Sequence, residues 1–470
     1  MSDGNRIAHK NQTPSKRRAT KSRLLRIGHL PLLVAAAGAL APRVSSAASD
    51  SWTGGGGDAL WSDALNWSTN PGTVPGTGDT ATFNSLAGAG GQVIDLGAGV
   101  TVSTLQFSTP NADSYTIGAG GAGSQTLTLN NGGAVTMNSK VANDELLNAA
   151  IVLGTDGSTQ SFTFTNNSTT NSLIFAGNIT GSTGSGVKSL VVTGAGAVSI
   201  SGAVNNDASG TVALTKSGTG TLTLTGANLY TGTTTVNGGT LDIGGGTSNG
   251  SISSSSALSL GGGTLTLTNT AGTTQTFNGA TLTGGASFIK NTGNGGILAL
   301  GALTKTAGSG ATVDFTATGT ITTGASNDAS DGGGILGGWA TTGNAVSSNS
   351  TGDWAANDGS GNIVAYTGYT LLATTGNLST NGAGASTQNW ETGALNGTNH
   401  ITTLTASATI NSLVQQGDFG INSGATLTLA SGGLMLKGIS RWMLNNNAGT
   451  TAGTGKLTSG LASGELFIHT

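Results

Sequence analysis

A chain of 470 residues with no cysteine, four histidines and 8% charged residues has few side chains with which to do acid–base, nucleophilic or metal chemistry. Its 82 glycines, beside many Ser, Thr and Asn, resemble the composition of a disordered segment, yet 36% of the residues are apolar and fall in small alternating groups. A formal net charge of −3 hides a strong asymmetry between the first 48 residues and the rest.

Residues 1–48 are expected to be an export signal. Arg6, Lys10, Lys16, Arg17, Arg18, Lys21, Arg23 and Arg26 form an extended basic n-region, the run from Leu30 to Ala41 is a short apolar h-region, and small residues up to Ala47 and Ala48 mark the cleavage site. The apolar run is short for a bilayer span, and Ala19-Thr20-Lys21 after Arg17-Arg18 fits the twin-arginine signal poorly. Nine of the 17 basic residues but one of the 20 acidic residues lie in this segment, which leaves a body with 8 basic and 19 acidic groups, formally −11. Such a body is repelled by nucleic acid and anionic membranes, and no membrane span is expected in the mature chain.

Residues 49–110 are expected to form an N-terminal cap and first turns. Trp52, Trp61 and Trp67 stand in "SWTGGGGDALWSDALNW", followed by Pro75, Asp79 and Phe83. These rings suit either a plug over the open end of a repeat stack or a sugar-stacking site, and the cap is preferred because terminal repeats are atypical.

Residues 111–330 carry the clearest pattern. Thr-Leu-Thr-Leu recurs at Thr126 to Leu129, Thr221 to Leu224 and Thr264 to Leu267, and again at Thr426 to Leu429. Alternation puts apolar side chains on one face of a short strand and hydroxyls on the other, while Asn-Gly-Gly and Gly-Gly-Gly between strands allow sharp corners. No helical period follows the signal, apart from a candidate single turn at residues 144–150. The spacings Leu222 to Leu241 and Leu241 to Leu258, 19 and 17 residues, predict turns of roughly 20 residues. The expected fold is an all-β, right-handed parallel β-helix (β-solenoid) of about 20 turns and about 100 Å, preferred to a β-sandwich, which wants longer strands and more aromatic core residues.

One stretch is more specific. Lys216, Gly218 and Gly220, then Leu222 and Leu224, Tyr230 and Gly232, and finally Gly239 and Leu241 lie in order within "LTKSGTGTLTLTGANLYTGTTTVNGGTLDIGGG", residues 214–246. This segment resembles the autotransporter-associated β-strand repeat, or passenger-associated transport repeat. The resemblance implies an exported bacterial β-helix, at the cell surface, outer-membrane-associated or extracellular, that uses export machinery. Classical members end in a membrane β-barrel, which residues 380–470 do not resemble, and Glu465 to Thr470 read as a strand just begun, as at the end of a fragment.

Residues 331–470 are expected to continue the β-helix with longer loops. Here Asp353, Asp358, Trp339, Trp354, Tyr366 and Tyr369 make the densest group of functional side chains, and Trp339, Trp354, Tyr366 and Tyr369 are the candidate contact for extracellular glycans or other cell-surface components. The bland alternative is an embellished turn with a longer loop. Catalysis, cofactors and metal are not expected, since the close acidic neighbours are isolated pairs, Asp144-Glu145 and Asp328 with Asp331, and "GGGGD" at 54–58 lacks the tandem copies of a calcium-binding repeat. The expected function is that of an exported, adhesin-like structural passenger. A glycan-binding module is the first alternative, a β-helix polysaccharide-degrading enzyme the second.

Overall fold

The computed structural model describes residues 49–68, 73–84, 92–110, 114–270, 272–293, 295–327, 334–343, 352–372, 386–392, 401–416, 418–437, 443–444 and 455–470. Ala47 and Ala48, with the rest of the expected signal, and Asp328 and Asp331 lie outside the described residues.

The chain is an all-β solenoid of about 13 turns whose strands stack in parallel. Two sheets run along the first stack, one of 14 strands and one of 13. Their interior is aliphatic because period-two alternation repeats in register. On one sheet Leu190, Leu214, Thr234, Leu258, Ala280 and Leu303 stand above one another, and on the other Val198, Leu222, Leu241, Leu265, Ile289 and Phe315 do the same. Burial of each such Leu, fully withdrawn from water at positions 222, 241 and 265, contributes about 1.5–3 kcal/mol.

Turn length departs from the expected value. Partners from Leu190 to Leu303 are 24, 20, 24, 22 and 23 residues apart, because the glycine-rich corners take several residues beyond the strands. The 17-residue spacing to Leu258 is no turn, since Leu258 lies on the opposite sheet from Leu241, whose partner is Leu265. About 13 turns therefore replace about 20. The candidate helical turn at 144–150 is also corrected: Glu145–Leu147 and Ala150–Leu153 are strands, and Glu145 points inward, fully buried, where it accepts the Tyr115 amide at 2.9 Å. Among the described residues a single 3-10 turn, Ala64–Asn66, occurs instead near the N-terminal strand, its first amides met by Asp63.

The first stack ends in an antiparallel meander, Ala340–Thr342 with Asp353–Asn357 and Asp353–Asn357 with Ile363–Ala365. A second parallel stack follows, with strands Thr370–Leu372, Asn389–Thr392, Ala408–Gln415, Thr426–Leu436, Lys456–Ser459 and Phe467–His469 in one sheet, around a core of Trp390, Leu413, Phe419 and Leu427. Phe467–His469 is a formed strand, paired in parallel with Gly433–Met435. No helix among the described residues is long and apolar enough to cross a membrane.

Candidate functional site

The segment at 214–246 contains one full turn of the stack. Strands Thr211–Lys216, Thr221–Leu224, Ala227–Asn228, Thr234–Val236 and Thr240–Ile243 carry it around both sheets, so that Leu214 pairs with Thr234 and Leu222 with Leu241.

Its unusual residues close the corners. Lys216 is buried, and its ammonium donates to the carbonyls of Ser217 at 2.6 Å, Gly218 at 3.0 Å and Gly238 at 3.2 Å, joining two successive turns. Burial pushes this amine down to about 8. Lys188, equally buried, donates to the carbonyls of Asp156 and Ser158, so the same device serves an earlier turn. Tyr230 is buried too, and its hydroxyl meets Thr234 at 2.8 Å; Thr234 meets Ser256 at 2.9 Å, and Ser256 donates to the Gly232 carbonyl at 2.7 Å. Gly239 has a φ of +60°, and a Cβ there would lie 2.3 Å from the Gly220 carbonyl and 2.7 Å from the Lys216 ammonium. Only glycine fits.

At the N-terminal end the tryptophans form a plug. Trp52, Trp61, Trp67 and Phe83 pack against one another at centroid separations of 4.9–6.1 Å, Trp52 stacked on Phe83 and the other pairs edge to face or tilted, all buried. Each indole N–H is satisfied: Trp52 donates to Gln92 at 2.6 Å, Trp61 to the Pro75 carbonyl at 3.1 Å, Trp67 to the Trp61 carbonyl at 2.9 Å. Buried Asp50 accepts the amides of Ser51, Ser68 and Thr73, tying the plug's loop to the first strand. With their faces covered by one another, these rings present no sugar-stacking platform. A cleft of about 460 Å³ beside them, lined by Trp61, Val74, Pro75, Leu96, Val100 and Thr101 among others, has no charged side chain in its wall.

The aromatic group at 339–369 does not converge on a common surface. Trp354 is fully buried against Gly433 and the edge of His469, in a cluster with Ile335, Val414 and Met435. Trp339 is half-buried against the first core. Tyr366 and Tyr369 meet edge to face at 5.0 Å and keep part of their surface. What surrounds Tyr369 is a polar joint that sequence inspection missed: Lys437 pairs with Asp353, its ammonium lies 5.9 Å from the Tyr369 ring centre, and the Tyr369 hydroxyl donates to Asp353 at 3.3 Å. Burial, then the Asp353 charge, pushes the Tyr369 phenol up. Glu391, held by Gln416, is raised by burial, an effect that Lys437 opposes. The signal was present as isolated charges in uncharged stretches, Glu391 in "NWET" and Lys437 in "MLKG". The joint pins the meander to the second stack.

Asp144 and Glu145 diverge at the start of the Glu145–Leu147 strand: the Asp144 carboxylate accepts the Ser172 amide at 2.7 Å on the outside while Glu145 is interior. Among the described residues no group of three or more His, Asp or Glu is placed to hold a metal ion.

Residues 214–243 match the family model described as the passenger-associated-transport-repeat. This repeat and the parallel stack around it fit an autotransporter passenger domain. No curated protein and no solved structure shows detectable similarity to the chain.

Proposed function

We propose that the chain is an exported, surface-displayed or secreted passenger whose role is structural and adhesive, without catalysis. The observation that carries this is the repeat at 214–243, seated as one turn of a longer stack with Lys216, Tyr230 and Gly239 each closing a corner. Support comes from the basic-then-apolar leader and from the divergence of Asp144 and Glu145. A rod with a plugged end and neighbour-only contacts extends a surface outward without needing a pocket. The test is protease treatment of intact cells of the native host: digestion of the chain at the surface, or its recovery in the medium, is expected, and confinement to the cytoplasm overturns the proposal.

A further inference from the structure

The outward face of the 14-stranded sheet is a two-row lattice of hydroxyls. In the first row Thr215, Thr235, Ser259, Thr281 and Thr304 stand directly above one another on five successive strands. The row continues through Val191 and Thr163 back to Ser49, and nine of its eleven positions are Ser or Thr, Ala134 and Val191 being the exceptions. A second row, two residues on, contains Thr165, Thr193, Ser217, Thr283 and Thr306 and is interrupted by Asn237 and Gly261 between Ser217 and Thr283; amide bonds from Ser217 to Val192, Thr283 to Leu260 and Thr306 to Leu282 hold its hydroxyl positions in line. Neither row holds a charged side chain. The hydroxyls of Thr281 and Thr304 bond each other at 3.1 Å, which aligns them along the row.

The spacing is set by the backbone: strands lie about 4.8 Å apart, and residues i and i+2 of a parallel strand about 6.6 Å apart. Ice has a comparable mesh. Two water oxygens bonded to a common third at about 2.75 Å and the tetrahedral angle lie about 4.5 Å apart, and the perpendicular repeat of the same network is about 7.3 Å. The methyls beside the threonine hydroxyls leave water few alternative partners, so water over such a plane is held in the plane's own periodicity.

We propose that this face binds ice, the occupant being the ordered water lattice itself. Lack of charge on the rows is the match expected for a neutral lattice, since an ion would keep its own hydration shell. The opposite sheet breaks the pattern with Asp242 and Lys290 in one outward row. A second copy of the chain fits poorly: the strip, about 48 Å by 7 Å, offers roughly 300 Å², against about 800 Å² per partner in a stable protein interface, and no aromatic anchor.

The experiment uses the purified whole chain, so it is independent of export. Inhibition of ice recrystallisation and enrichment in slowly grown ice are expected. Thr235→Lys, mid-row, abolishes both, while Thr223→Lys, an outward position on the other sheet beside Asp242, leaves both unchanged; far-ultraviolet circular dichroism confirms that each variant folds. No effect of the wild-type chain on ice overturns the proposal. So does equal activity of Thr235→Lys, or capture by microcrystalline polysaccharide that Thr235→Lys abolishes when ice is unaffected, which would assign the face to carbohydrate.

Discussion

Lys305 and Glu465, 160 positions apart in sequence, meet through both carboxylate oxygens at 2.8 Å. The same carboxylate accepts the amides of Gly308 at 3.0 Å and Gly310 at 2.7 Å and the Ser463 hydroxyl at 2.7 Å. Burial resists its ionisation, but these donors prevail and bring Glu465 down to about 2. A carboxyl whose folded pKa is depressed contributes stability above its unfolded pKa and loses it as pH falls toward the folded value. Protease resistance of residues 455–470 should therefore decline between pH 4.5 and 2, and Glu465→Gln should show the weakened state already at pH 7 with a flatter profile. Proteolysis with an acid-active protease across that range checks this; a wild-type profile in the variant would show that the contact holds nothing.

Leu222→Asp puts an unpaired charge in the aliphatic column, at a cost of several kcal/mol even after relaxation. Damage should stay within adjoining turns, so limited proteolysis should cut near residues 200–265 and spare flanking fragments. Thr223 points outward, yet its partner in register is Asp242, whose carboxyl burial already raises. Thr223→Asp would set two carboxylates side by side and is no silent control. Thr223→Asn is expected to unfold within about 0.5 kcal/mol of wild type in urea titration.

Gly239→Ala is expected to destabilise by about 1–3 kcal/mol, from positive φ and collision with the Gly220 carbonyl. Urea titration beside Gly246→Ala isolates the collision, because Gly246 shares the positive φ with nothing within 4 Å of its Cβ position. Equal losses would show that backbone conformation alone selects glycine there.

Trp67→Ala removes a buried ring at the centre of the plug and should cost about 3–5 kcal/mol. Hydrogen exchange should then rise first in Ser49–Trp52 and Thr80–Phe83, the paired strands nearest the plug, and only later around residue 222. Uniform acceleration along the chain would contradict neighbour-only coupling.

The sheets were legible in the sequence because period-two alternation survives wherever a strand has one buried face, and the 43-residue interval between Thr221 and Thr264 does correspond to two turns. Turn length was not, since Leu241 and Leu258 look like successive repeats but face the core from opposite sheets. Three tryptophans within 16 residues stand out in the sequence, but the groups that take their indole N–H bonds do not. Lys305 with Glu465 and Asp353 with Lys437 could not, because contacts across 160 and 84 positions leave no local pattern. Burial of Trp354 was hidden for a related reason: Gly433, from the second stack, makes room for its ring.

Parallel sheets grow by addition, and any uncovered last rung is a template for another molecule's strand. Leu303–Lys305 is the last rung of the 14-stranded sheet along its main path. Here Phe467 lies 5.1 Å from the Lys305 ammonium, and Glu465 grips the loop that leaves the strand. Residues 465 and 467, brought back from the second stack, thus cover that rung, where a strand of another molecule would otherwise find an open edge.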